Sequence, residues 1–203
     1  MKDIARIDYH IHSCYSPDSR VPVDVLVETA IKRGLSEIAV TDHNTIAGGL
    51  AANLYAQGKP IKVIVGAEIN TDRGEVIGLN LTENISERNL MEVLRIIKAQ
   101  GGQVMIPHPY GILRRSRLKV PIDSLKGMVD IIEIHNSRSL FGGRDHLARA
   151  AAVRLGLKTV VGSDAHFAFE IGNTTQFLFN WRGALGYILT AIAKRLPHQS
   201  KKS

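Results

Sequence analysis

The sequence predicts an α/β chain whose strands close into a small, distorted βα barrel. Three observations predict it. Short β-branched runs alternate with longer amphipathic stretches along the chain, the order that gives a mostly parallel sheet with right-handed crossovers. Those runs end repeatedly in His, Asp or Glu, and polar residues at the C-terminal ends of strands mark the functional face of a barrel. The chain has 203 residues, fewer than the about 250 of a regular eight-unit barrel, so seven strands are expected.

Residues 4–10 read as the first strand. Residues 23–33 carry apolar side chains at helical spacing, with Pro22 ahead and Gly34 as the stop. Residues 37–41 form the next strand and 47–57 a helix. Residues 61–70 and 75–81 read as strands joined by a turn at Asp72-Arg73-Gly74. Residues 86–100 form a helix, with Asn84 as N-cap, Glu87 three residues on and Gly101-Gly102 as its end. Residues 103–107 are a strand, 123–126 a short helix or turn, and 130–135 a strand. A helix over 144–155 ends at Gly156, followed by strands over 158–163 and 174–179 and a final helix over 183–194. Residues 1–193 are thus expected to form one barrel domain, and 194–203 a flexible basic tail.

The formal charge is +7, concentrated in Arg114, Arg115, Arg117 and Lys119 and in Lys194, Arg195, Lys201 and Lys202. Without these eight residues the chain carries −1. The body is therefore near neutral, with one basic loop directly after His108 and one basic tail. The lone Cys14 excludes an internal disulfide and reads as a small buried thiol. No apolar run reaches membrane-spanning length and the N-terminus lacks a signal-type apolar stretch. A cytoplasmic protein is expected, without a membrane role.

The chemistry begins at His10 and His12. Residues i and i+2 of a strand point to one face, so both imidazoles can grip one ion. Asp18 follows, Asp42-His43 ends the second strand, Glu68 lies in the third, and His108 ends the run from Gly102. Glu133 and His135 lie in the next run, and Asp164 and His166 close the one after. These ligand types suit Zn, Mn or Fe, and they recur at one end of the strands.

Four segments resemble the motifs of the polymerase and histidinol phosphatase (PHP) family of metal-dependent phosphoesterases. They are Asp8-Tyr-His-Ile-His-Ser-Cys-Tyr-Ser-Pro-Asp18, Ile38-Ala-Val-Thr-Asp-His-Asn44, Gly66-Ala-Glu68 and Gly162-Ser-Asp-Ala-His166, in the family's order. The resemblance implies a distorted TIM-like (βα)7 barrel holding two or three divalent metal ions. By resemblance His10, His12, Glu68 and Asp164 hold the first metal, Glu68 bridges to a second that His108 also holds, and Asp18, His43 and His166 hold a third. Many members carry a histidine where this chain has Glu75. Glu75 either replaces that ligand, tilting preference towards Mn or Fe, or is an exposed turn residue. His135 could bind metal or substrate, and Asn136 matches an asparagine that the family places near here.

Clustered divalent cations activate bound water and clamp the oxygens of a displacement at phosphorus, so a metal-bound hydroxide would be the nucleophile. Ser163 and Thr41 read as packing or supporting groups. An anionic substrate fits Arg114 and Arg115, since guanidinium grips phosphate bidentately. Arg138 and Arg144 could reach the same side, and Tyr110 could stack on a base. The alternative for the Arg114–Lys119 loop is a solvated surface. The resemblance points first to the compact branch that hydrolyses nucleoside 3′,5′-bisphosphates or trims the 5′ ends of short RNA. The small domain often inserted there has no room between Ile69 and Ile106. Histidinol phosphatase is the alternative, phosphotyrosine phosphatase stands below it, and a metal-free RNA-binding or scaffold barrel is the reading of another class. Oligomeric state is left open.

Overall fold

The computed structural model describes residues 5–111, 116–139, 144–178 and 188–192. In chain order the elements are β1 (Ala5–Ile11), α1 (Val23–Lys32), β2 (Glu37–Val40), α2 (Ala47–Tyr55), β3 (Lys62–Thr71), β4 (Gly74–Leu79), α3 (Leu90–Ala99), β5 (Gln103–Ile106), β6 (Ile131–Asn136), α4 (Asp145–Leu155), β7 (Lys158–Gly162), β8 (Thr174–Leu178) and β9 (Ile188–Ile192). The sheet order is β7-β6-β5-β4-β3-β2-β1-β8-β9. Strands β1, β2 and β3 pair in parallel, as do β5, β6 and β7, while β4 runs antiparallel between β3 and β5.

The seven strands β1–β7 curl until the end of β7 meets β1. Asp164 N donates to His10 O at 2.7 Å, His12 N donates to Ala165 O at 2.9 Å, and Ile11 bridges Ala165 in parallel. The expected distorted seven-stranded barrel is therefore the fold, with β8 added antiparallel outside β1.

A buried apolar layer fills the interior. It draws Ala39 from β2, Ile64 from β3, Ile77 and Leu79 from β4, Met105 from β5, Ile131 from β6 and Val160 from β7, with Tyr9 of β1 packed against it. The strand period of two then dictates what stands above this layer. Two residues on from Ile131 comes Glu133, four on from Ile64 comes Glu68, and four on from Val160 comes Asp164. On the reversed strand β4, Glu75 stands two residues before Ile77. The residues between these inward positions face the helices. Ile38 and Val40 join Leu26, Val27 and Ala30 of α1, while Val104, Ile106 and Ile132 join Leu94 and Ile97 of α3 and Ala151 of α4.

Helix α1 ends in a Schellman motif. Gly34 adopts φ 71°, its N–H donates to Ile31 O at 2.8 Å, and Leu35 N donates to Ala30 O at 3.0 Å. Helix α3 begins at Leu90 with Asn89 as N-cap, its side chain accepting from Glu92 N. The expected cap at Asn84 serves elsewhere, accepting from Ile46 N at 2.9 Å ahead of α2. The short turn expected over 123–126 is a 3₁₀ helix, Ile122–Leu125.

The expected final helix over 183–194 is corrected within the described residues. Ile188–Ile192 is a strand paired antiparallel with β8, because a short apolar run suits either period and the open edge of β8 decides. The remainder of that stretch, and the tail at 194–203, lie outside the described residues. Cys14 is exposed rather than buried. Among the described residues no helix is long and apolar enough to cross a membrane.

Candidate metal centre

His10 and His12 leave the end of β1 with both rings wholly buried. Their Nε2 atoms lie 3.1 Å apart. Glu68 Oε2 is 3.4 Å from each Nε2, and Asp164 Oδ1 is 3.7 Å from that of His10 and 3.4 Å from that of His12. On the far side of the His10 ring, Nδ1 lies 3.2 Å from Glu133 Oε1. On the far side of the His12 ring, Nδ1 lies 3.0 Å from Ser16 Oγ.

The remaining expected residues gather around this pair. His108 Nε2 is 3.0 Å from Glu68 Oε1 and 3.6 Å from Glu75 Oε2. His43 Nδ1 is 3.4 Å from Glu68 Oε2, and its Nε2 is 3.3 Å from Asp18 Oδ2. His166 Nε2 is 3.1 Å from Asp18 Oδ2, while its Nδ1 is 2.9 Å from Asp164 O. Four groups have ligand atoms within 4.8 Å of one another: His12, Asp18, His43 and His166; His10, Glu68 and His108; His10, His12 and Asp164; His43, Glu68 and Glu75. Glu75 is buried on β4 rather than exposed in a turn.

Two members of this set are held in left-handed backbone, His108 at φ 29° and Asp164 at φ 54°. Each such residue costs about 1–3 kcal/mol, and Asp and His tolerate it better than most. The surroundings enforce it: His108 N donates to Glu133 Oε2 at 2.7 Å, and Asp164 N donates to the backbone of His10. Gly162 is required one strand away, because a Cβ there would lie 2.4 Å from both Glu133 Oε1 and His10 Cβ.

The charges are strongly coupled. Burial works against protonation of His12, but Asp164 and Glu68 raise its pKa to about 9. His10 is raised well above its ordinary value against the same burial, by Asp164, Glu68 and Glu133. Glu68 is held well below the carboxylate range despite burial, chiefly by His10. Burial and the neighbouring Glu68 push Glu75 up to about 7.

The expected substrate contacts divide. Arg114 and Arg115 lie outside the described residues. Arg138 lines an open cleft of about 380 Å³ together with Asp18, His43, Glu68, Glu75, Ser116, Asp164 and His166, and its guanidinium lies 3.6 Å from Glu170 Oε2. Arg144 lines a neighbouring cavity of about 630 Å³ with Tyr110, Arg117 and Lys119. Asn136 Nδ2 donates to Glu133 Oε2 and Asp164 Oδ2 at 3.0 and 3.3 Å. His135 Nδ1 sits 2.6 Å from Asp145 Oδ2 at the start of α4.

Three residues outside the expected ligand set support it, two of them, Glu133 and Asp42, among the strand-end carboxylates that the sequence singles out. Glu133 holds His10, His108 N and Asn136. Asp42 accepts from Ser13 N, Ser13 Oγ and Ser16 Oγ at 2.6, 2.7 and 2.9 Å. Ser16 sits between Asp42 and His12. Glu133 and Asp42 stand at strand ends as carboxylates, which is the signal available for them; Ser16 offers none on its own.

Comparison with known proteins bears on this geometry. The PHP domain family model matches residues 8–182. A protein of Methanocaldococcus jannaschii without assigned function is 34% identical over 174 residues, covering 83% of this chain and 68% of its own length. A Thermoanaerobacter protein named as a probable phosphatase is 26% identical over 207 residues, covering 85% of this chain and 83% of its own. A two-domain Bacteroides vulgatus protein, described as containing a predicted PHP-like metal-dependent phosphoesterase, matches in fold with TM-score 0.75 at 21% identity, over 88% of this chain and 59% of that one. With the family match spanning most of its length, the chain belongs to the PHP domain family.

Proposed function

We propose that the chain hydrolyses a phosphate ester of a nucleotide, either a nucleoside 3′,5′-bisphosphate or the 5′ end of a short oligonucleotide. His10, His12, Asp18, His43, Glu68, Glu75, His108, Asp164 and His166 would hold two or three divalent ions, Mn or Fe in preference to Zn. One observation carries the metal reading: two fully buried Nε2 atoms 3.1 Å apart, each with its Nδ1 engaged on the opposite side of the ring. Two ring nitrogens this close and away from water need a proton or a metal cation between them, and the flanking carboxylates of Glu68 and Asp164 favour positive charge there. The surrounding imidazoles and carboxylates are the donors that Mn, Fe and Zn take, and the carboxylate of Glu75 in place of an imidazole favours the harder ions.

Divalent ions at such a site lower the pKa of bound water to about 7 and neutralise phosphoryl charge. The residues of the chain supply position. Glu133 and Ser16 fix the His10 and His12 rings by their Nδ1 atoms, and Arg138 stands at the edge of the cleft where phosphate oxygens would enter. Ser163 Oγ and Thr41 Oγ1 donate to the backbone of His10 and Ile11 at 3.3 Å each, so neither is poised as a nucleophile.

Two features support a nucleotide. The cavity bordered by Arg117, Lys119 and Arg144 shares Pro109, Tyr110 and Arg144 with a small pocket lined by His108, Glu133 and Asn136, and offers a place for a second phosphate. Phe167 and Phe169, directly after His166, are exposed yet stacked on each other, with centroids 5.6 Å apart, a face on which a base can lie. The similarity to a protein named as a probable phosphatase agrees with ester hydrolysis. A cytoplasmic location remains part of this proposal.

The test is Mn-supplemented turnover of adenosine 3′,5′-bisphosphate, a short 5′-phosphorylated RNA, histidinol phosphate and an aryl phosphate. The nucleotide substrates should be turned over fastest. Preference for histidinol phosphate would overturn the substrate assignment. An inactive protein that still binds RNA would favour the scaffold reading.

A further inference from the structure

We propose that Ser16 and Asp42 are positioning residues that lock His12 with its proton on Nδ1 and its Nε2 lone pair aimed at the centre, and that Ser16 ties His43 to the same setting. The inference rests on the reading that His12 holds a cation.

The hydrogen-bond capacity of one hydroxyl carries it. Ser16 Oγ has three neighbours: His43 N at 3.0 Å, Asp42 Oδ1 at 2.9 Å and His12 Nδ1 at 3.0 Å. A serine hydroxyl offers one hydrogen and two lone pairs. His43 N is a backbone donor, so it takes one lone pair. A carboxylate oxygen only accepts, so the single hydrogen goes to Asp42. The second lone pair is left for His12 Nδ1, which must therefore donate. His12 then carries its proton on Nδ1.

Asp42 is itself fixed. Its Oδ1 also accepts from Ser13 N and its Oδ2 from Ser13 Oγ. It is buried, as are Ser13 and Ser16. Gly48, in the first turn of α2, packs so closely that a Cβ there would stand 1.9 Å from Asp42 Oδ2. The direction of the hydroxyl is thus set by a carboxylate that cannot turn. Through Ser16, the loop after β1 and the residues after β2 become one clamp, and two histidines of the group formed by His12, Asp18, His43 and His166 are placed by a single oxygen.

The test uses zinc as a diamagnetic probe ion on the full chain. Zinc affinity of chelator-stripped wild type and Ser16→Ala is measured by competition with a chromophoric chelator, and the histidine side-chain ¹⁵N spectrum is recorded for both. The wild type should show a slowly exchanging His12 Nδ1–H. The variant should lose that signature and bind zinc about 10- to 100-fold more weakly, the effect of removing a partner that orients a ligand. Affinity within about twofold of wild type in the folded variant would overturn the proposal, as would a loss of affinity with the His12 tautomer unchanged. If the variant does not fold, the wild-type spectrum decides alone: a His12 Nδ1 that carries no proton in the zinc-loaded protein refutes the lock. A wild type that binds no zinc refutes the metal reading itself, a separate result.

Discussion

The Nε2 atoms of His10 and His12 face each other across 3.1 Å at the end of β1, with neither ring reaching solvent. Strand geometry puts the two side chains on one face, and Glu133 and Ser16 each hold the opposite ring nitrogen. Glu68 and Asp164 close on the same point from β3 and from the residues after β7.

Asp164→Asn keeps the shape of the side chain, and Asn tolerates the left-handed backbone that Asp164 adopts. The apolar layer beneath is untouched. The variant should fold with an unchanged circular dichroism spectrum, bind less metal and lose about 10²- to 10³-fold in kcat, the scale of removing one preorganised charge-stabilising group. Full activity would remove Asp164 from the site.

The metal-stripped protein should lose stability as pH rises. The folded pKa of His12, about 9 against 6.5, means that its contribution is complete below 6.5 and is lost as pH rises through about 9. Glu75 holds its proton to about 7 against 4.5 and Asp8, desolvated by burial, to about 6 against 3.8. Both weaken the folded state as pH rises through those ranges; His166, lowered by burial and by His12, works the other way below 6.5, one group against three. Thermal unfolding of chelator-treated protein should give a Tm that falls between pH about 5 and about 9. Added Mn should flatten or reverse that fall, because cations displace the same protons and bind more tightly as pH rises. A stripped-protein Tm that climbs over this range would contradict the coupling.

Glu75→His replaces a hard oxygen donor by an imidazole beside His108 and Glu68. The ratio of Zn to Mn affinity should rise, on the order of tenfold, in paired chelator-competition titrations. An unchanged ratio would place Glu75 outside the ligand set.

Gly162→Ala forces a methyl to within 2.4 Å of Glu133 Oε1 and His10 Cβ. Overpacking of this kind costs about 1–3 kcal/mol, and here it also disturbs the bond that orients His10. Both Tm and metal affinity should drop. An unchanged Tm would mean that β7 can move away from β1 at no cost.

What was legible in the sequence was what a strand dictates locally. The run before Glu68 and the run before Glu133 each present an apolar residue to the interior and a carboxylate above it, and period two makes that visible without coordinates. The Gly162-Ser-Asp-Ala-His166 and His10-Ile-His12 spacings carried His10, His12, Asp164 and His166, while His43 and His108 showed as the ends of their own apolar runs. Choices between equivalent local signals were not legible. Asn84 and Asn89 each precede a glutamate by three residues, and only the approach of Ile46 N to Asn84 decides that Asn89 caps α3. Residues 188–192 suit a helix or a strand until the edge of β8 is present. Ser16 acquires its role from Asp42, which arrives from another strand, and no pattern within either segment announces the pairing.

The central claim is that the mouth of this barrel is a metal centre. Elemental analysis of the purified protein, in ions per chain, tests it most directly. The account predicts two or three ions drawn from Mn, Fe and Zn, removed by chelation together with phosphoesterase activity and restored with it by Mn. A chain that carries no metal and turns over phosphate esters at full rate after chelation would contradict it.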